Sequence, residues 1–211
     1  MVLVSHRYKF IYLKNYKVAG SSVESFFGQY CVDPESKDYS FQDEQDEKIT
    51  EWGILGQRLQ GKRTKWYNHM SAREIQKELG EDKFAEYLKF CVVRNPYECM
   101  VSSYFFQGAK GTFKEYCKKF RVAPCSNLPR LLLNNVPVCQ MYIRYENLVE
   151  DMKLVLHRLN IQNYDLQQLP THKSNLTPRG KHYREYYDAE TRDIVKALFQ
   201  TEIAMFQYTF D

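Results

Sequence analysis

A lysine, a glycine and two serines stand within six residues near the start of the chain, as Lys17-Val18-Ala19-Gly20-Ser21-Ser22. Such a run holds an anion when it links a strand to a helix. The first N–H groups of a helix have no intrahelical partner and carry the positive end of its dipole. Gly20 lets the backbone come close to a ligand. Lys17 adds a full charge, and Ser21 and Ser22 add hydroxyl donors. The order is not that of a Walker A loop, where the lysine follows the last glycine; here Lys17 precedes Gly20. A second run, Val93-Arg94-Asn95-Pro96-Tyr97 through Val101-Ser102, has the same logic. Arg94 offers the planar fork best suited to a phosphate. Ser102 falls about two turns into the following helix, on a face that looks back toward the same anion. Two such places on neighbouring strands point to a ligand with two separate anionic groups.

The elements that position these residues are legible from pattern. Tyr8–Lys14 reads as a strand and Val23–Phe27 as the opening of a helix. Leu88–Val93 is a buried-strand run, and Pro96 fits the first turn of a helix bearing Met100, Val101, Tyr104 and Phe105. Ser71, with Glu74 three residues on, forms a capping box for a helix over 72–79. Short helices are expected around 112–120 and near 128–133. A third strand is expected over 136–143, and a further helix over 147–159. A polar loop spans about 160–182. One amphipathic helix runs from Ala189 to about Tyr208, with Ile194, Leu198, Met205 and Tyr208 on one face. The glycines at 53, 56 and 61 leave 52–65 unassigned. Strands alternating with helices imply an α/β fold with a parallel sheet covered on both sides.

A chain of 211 residues fits one compact domain, here 1–211, with room for a real core. Hydrophobic and charged fractions of 44% and 27% are those of a soluble globular protein. With no long apolar run and no signal-peptide pattern, the sequence reads as soluble and cytoplasmic. The net charge of +4 is unevenly spread. From Asp33 to Glu51 eight carboxylates face two lysines, a balance of −6 that leaves +10 for the rest. That acidic stretch reads as a surface loop or insertion, and the basic body suits an anionic ligand. Six cysteines, at 31, 91, 99, 117, 125 and 139, include no CxxC pair, so no zinc site is expected. Cys91 and Cys139 read as buried thiols, and Cys117 with Cys125 is the close pair for a disulfide.

Together these motifs resemble the sulfotransferases. Lys17–Ser22 looks like their 5′-phosphosulfate loop, and Val93–Tyr97 with Val101–Tyr104 looks like their 3′-phosphate-binding segment. The likeness is nearest to carbohydrate sulfotransferases of the heparan, chondroitin and HNK-1 type. It extends to Asn68–Ile75, to Arg144–Leu148 and to the final Phe206–Phe210. It implies a P-loop-NTPase-like three-layer fold and the donor 3′-phosphoadenosine 5′-phosphosulfate, with no metal. It also implies a hydroxyl acceptor on a carbohydrate, and neither a nucleic-acid partner nor a membrane span. Lys17 then faces the bridging oxygen and the sulfuryl group, while Val18, Ala19, Gly20, Ser21 and Ser22 wrap the 5′-phosphosulfate. Arg94 and Ser102 hold the 3′-phosphate, and Arg179, Gly180 and Lys181 form a basic loop that closes over it. His69 occupies the place of the catalytic base. One departure is Cys99, where members of the family often carry arginine.

Other roles are open at each position. Arg94 can be a structural ion-pair partner, Ser102 a packing residue, His69 a capping or core residue, and Arg179–Lys181 a solvated turn. Two other functions stand beside sulfuryl transfer: a P-loop kinase, and a non-catalytic nucleotide- or glycan-binding module. The absent GxxxxGK[ST] and the lack of a clear Mg²⁺ carboxylate count against the first. The pairing of Lys17 with His69 counts against the second.

Overall fold

The structure is a computed structural model that describes residues 1–18, 20–35, 39, 44–58, 64–166 and 181–211. In chain order its elements are β1 (Leu3–Ser5), β2 (Phe10–Leu13), α1 (Gly20–Gly28), β3 (Lys48–Ile49), β4 (Gly53–Leu55), α2 (Ala72–Leu79), α3 (Glu81–Glu86), β5 (Leu88–Val93), α4 (Pro96–Phe106), α5 (Phe113–Lys118), α6 (Leu128–Leu131), β6 (Leu132–Leu133), β7 (Val136–Pro137), β8 (Met141–Arg144), α7 (Leu148–Arg158), α8 (Ala189–Leu198) and α9 (Gln200–Phe206). They group into two compact units. One draws on residues within 1–15, 19–93 and 128–172, the other on 16–18, 94–127 and 173–211.

The first unit holds a six-stranded sheet in the order β3-β4-β1-β2-β5-β8. Strands β2, β5 and β8 run parallel, with Tyr12 beside Phe90 and Phe90 beside Met141. Connections between such strands need long crossovers, and these place ligand-binding loops at the carboxyl ends. Strands β1, β3 and β4 add an antiparallel half. The aromatic rings of Phe10, Phe27 and Phe90 meet in the core, with Phe27 and Phe90 centroids 4.8 Å apart. Helix α7 packs on β8. The expected α/β fold, a parallel sheet flanked by helices, is therefore present.

The second unit is helical, with α4, α5 and α8 packed together and α9 following α8. Pro96 stands in the first turn of α4, as expected, and Asn95 caps the helix by accepting from the Tyr97 N–H at 3.1 Å. Its core is aromatic: Tyr97, Phe113, Tyr187 and Phe210 stack edge to face at 4.9 to 5.6 Å.

Several boundaries differ from expectation for local reasons. Residues 136–143 do not form one strand, because Pro137 lacks the N–H that a continuing ladder needs. Val136 and Pro137 pair instead with β6 in a hairpin that also shortens the preceding helix to Leu128–Leu131. The final helix breaks at Phe199, which is 2% exposed. Burying that ring moves the inner stripe to Thr191, Val195 and Phe199, leaving Ile194 and Leu198 half-buried. Lys48 and Ile49, inside the acidic stretch, form an edge strand rather than loop. Residues 36–38 and 40–43 of that stretch lie outside the described residues. All six cysteines are buried and free. Among the described residues no helix is long and apolar enough to cross a membrane.

Candidate active site

In the first unit, chemistry-bearing residues gather where β2 ends. Helix α1 starts at Gly20, whose carbonyl accepts from the Tyr12 hydroxyl at 3.1 Å. A Cβ at Gly20 would stand 3.0 Å from that hydroxyl and 3.3 Å from Lys14 Cγ. The glycine therefore admits the helix start against its own strand. Ser21 is half-buried and Ser22 buried in the first turn of α1. One turn on, fully buried Glu24 pairs with Lys14 Nζ at 2.5 Å. Burial alone would raise the Glu24 pKa, but the Met1 amino group, Lys14 and Arg58 hold it below the ordinary value. Asn15 donates through Nδ2 to the Val92 carbonyl at 2.9 Å and ties the end of β2 to β5.

His69 joins the same strand end. Its Nδ1 lies 3.1 Å from the Lys14 carbonyl. A carbonyl only accepts, so Nδ1 carries the proton and the neutral ring keeps its lone pair on Nε2. Arg130 donates through Nε to the His69 carbonyl at 3.3 Å. His69 takes the left-handed backbone conformation, at φ 61°. Helix α2 is capped without it: Ser71 and Glu74 form the reciprocal capping box. A capping role for the imidazole is thereby excluded. Burial, followed by the Lys14 charge, lowers its pKa to about 3, so the ring is neutral at pH 7.

In the second unit, Asn127 clamps the start of the lysine loop. Its Oδ1 accepts from the Tyr16 N–H at 2.6 Å, and its Nδ2 donates to the Tyr16 carbonyl at 3.0 Å. Lys17 is also left-handed, at φ 62°. Its carbonyl accepts from an Arg94 terminal nitrogen at 3.2 Å, and its ammonium lies 3.8 Å from the centre of the Phe106 ring. Arg94 Nε pairs with Glu98 at 3.0 Å, four residues on. Glu98, Ser102 and Phe106 follow at helical spacing and share one face of α4. Arg94 thus sits at the N-terminal end of that face and Lys17 at its C-terminal end. Buried Cys99 places its Sγ 3.8 Å from the carbonyls of both Lys17 and Arg94, filling the space between them.

Val18 is buried, and Lys181 lies 4.5 Å above the Tyr186 ring. Ala19, Arg179 and Gly180 lie outside the described residues. Among the described residues no group of three His, Cys, Asp or Glu side chains is placed to hold a metal ion. Sequence reading missed Glu24, Glu98, Phe106, Asn127 and Arg130. Only Glu98 had a signal, its i,i+4 spacing from Arg94. The others depend on tertiary contacts between residues far apart in the chain.

Comparison with known proteins extends over this whole arrangement. The model of the sulfotransferase family matches residues 1–209. A protein of Archaeoglobus fulgidus, described as uncharacterized, is 31% identical over 100 residues, covering 44% of this chain and 83% of its own. No solved structure matches the chain significantly.

Proposed function

This chain belongs to the sulfotransferase family, and from that premise we propose that it moves a sulfuryl group from 3′-phosphoadenosine 5′-phosphosulfate to a carbohydrate hydroxyl. The observation that carries this reading is the Lys17–Arg94 pair, a lysine held in a left-handed turn by the arginine that follows β5. A donor with two anionic groups fits two cations, Arg94 and Lys17, set along one helix face. The carbohydrate acceptor rests on the resemblance of the motifs.

In this reading Gly20, Ser21 and Ser22, with Val18 and Ala19, hold the 5′-phosphosulfate. Arg94 and Ser102 hold the 3′-phosphate, joined by the basic residues 179–181. His69 Nε2 accepts the acceptor's proton as that oxygen attacks sulfur. The bond from sulfur to the bridging oxygen breaks, and its electron pair stays on the phosphate, where Lys17 stabilises the growing charge. An imidazole with a pKa of about 3 is a weak base in the protein alone. An arriving anion opposes the Lys14 charge and raises the ring's proton affinity, against the burial that is the larger cause of the low value. The Lys14 carbonyl keeps the tautomer fixed throughout.

Thermal melting with nucleotides tests the donor. Adenosine 3′,5′-bisphosphate should raise the melting temperature more than AMP, ADP or ATP with Mg²⁺. At about a hundred times its dissociation constant a ligand adds about 2.7 kcal/mol to stability. Equal or greater stabilisation by ATP with Mg²⁺ would move the assignment to a kinase.

A further inference from the structure

Helix α4 ends on Phe106, a phenyl ring that is 58% exposed. A large apolar side chain left this open is not placed there by the core. One of its faces carries a cation: the Lys17 ammonium stands 3.8 Å from the ring centre. A ring attracts a cation within about 6 Å of its centre, because the face is the negative side of its quadrupole.

The helix period brings this about. Glu98, Ser102 and Phe106 stand four residues apart and share one face of α4. At the start of that face Arg94 donates to the Lys17 carbonyl at 3.2 Å, and at its end Phe106 takes the ammonium. The lysine is thereby held at both ends, its backbone by the arginine and its tip by the ring. A lysine side chain is long and flexible, and ordering it costs rotamer entropy. A contact that orders it beforehand removes that cost from the reacting step. A carboxylate would order the ammonium and cancel its charge. A phenyl ring orders it and leaves the charge whole. The ring also covers one side only, so that N–H donors on the other side remain for an anion.

We propose that Phe106 is a positioning residue, which aims the Lys17 ammonium at the oxygen that leaves sulfur. This rests on the reading of Lys17 as the cation that stabilises the leaving phosphate. The ring touches the lysine and not the reacting atoms, so its loss should lower turnover and spare donor affinity.

The test needs no acceptor. With water in its place, the water oxygen bonds to sulfur and the bond from sulfur to the bridging oxygen breaks. The electron pair stays on the phosphate, the protons pass to solvent, and the products are sulfate and adenosine 3′,5′-bisphosphate. Sulfate release is measured at saturating 3′-phosphoadenosine 5′-phosphosulfate. Phe106→Leu keeps the apolar bulk, removes the ring and should slow release about 3- to 30-fold. Phe106→Tyr keeps the ring and should recover most of the rate. Both variants should bind the bisphosphate and melt like the parent. Lysine labelled with ¹³C at Cε reports the contact directly. The Lys17 signal, identified by its loss in Lys17→Ala, should be shifted upfield by the ring current in the parent and in Phe106→Tyr. In Phe106→Leu it should join the other lysines. An unshifted Lys17 signal in the parent, or an unchanged rate in Phe106→Leu, would overturn the proposal. So would a loss of bisphosphate affinity equal to the loss of rate, which would make the ring a donor contact. A parent that holds the bisphosphate and releases no sulfate would overturn it as well. Failure to bind the bisphosphate would instead strike the donor reading on which the proposal rests.

Discussion

Replacing His69, the proposed base, should abolish sulfuryl transfer while the donor still binds. A positioned base contributes about 10²- to 10⁴-fold in rate, and that is the expected fall in kcat. Two variants make the result interpretable. Alanine at a left-handed position adds backbone strain of its own. Asparagine tolerates φ near the observed 61° and carries no comparable base. His69→Asn should therefore fold and melt like the parent, bind adenosine 3′,5′-bisphosphate equally and fail to turn over. An asparagine variant with normal turnover would leave the base unassigned. The ring also leaves a mark on stability. Burial and Lys14 lower its folded-state pKa to about 3, against an ordinary 6.5. Between those values the unfolded chain binds more protons than the folded one, so stability rises with pH. The contribution is complete above about pH 6.5 and is lost as pH falls toward 3. The asparagine variant should lose that slope in a denaturation series over the same window.

Lys17 and Arg94 should separate chemistry from binding, though not completely. Lys17→Ala removes a cation whose charge counts most as the leaving phosphate develops. Its kcat should fall about 10²- to 10³-fold, with bisphosphate affinity changed little. Arg94→Ala removes a charge-assisted fork and should weaken bisphosphate binding about 10- to 100-fold. It should also lower kcat, because Arg94 donates to the Lys17 carbonyl at 3.2 Å and so fixes the lysine's backbone. The two losses in kcat should then be less than additive in the double variant. Full additivity would mean that the arginine does not position the lysine. An unchanged bisphosphate affinity in Arg94→Ala would refute its role as a phosphate ligand.

The order of strand, loop and helix was legible because each carries a local signal. Phe10–Leu13 and Leu88–Val93 are apolar runs of strand length, Pro96 marks a helix start, and Ser71 with Glu74 spells a capping box. Strand β4 was not, since Gly53 and Gly56 carry no pattern, and its three buried residues are fixed by pairing with β1 and β3. The break at Phe199 has no glycine or proline to announce it. The candidate residues were found by type and spacing, but their supports were not. A glutamate at 24 reads as surface, yet it is buried against Lys14, ten residues earlier in the chain. Asn127 reaches back 111 residues to Tyr16. No local pattern encodes contacts of that range.

Lys17 and His69 share the left-handed backbone that side chains of their kind resist by about 1–2 kcal/mol. Glycine escapes that cost, and in Lys17→Gly the backbone carbonyl would remain to accept from Arg94. Such a variant should resist denaturant no less than the parent while turning over far more slowly. On the proposed roles, the most stable sequence and the most active one are different sequences at these two positions. On those roles, selection for thermal robustness alone would erode the proposed activity at the lysine and the histidine. Any attempt to harden the chain by matching residues to backbone preference must hold both positions fixed.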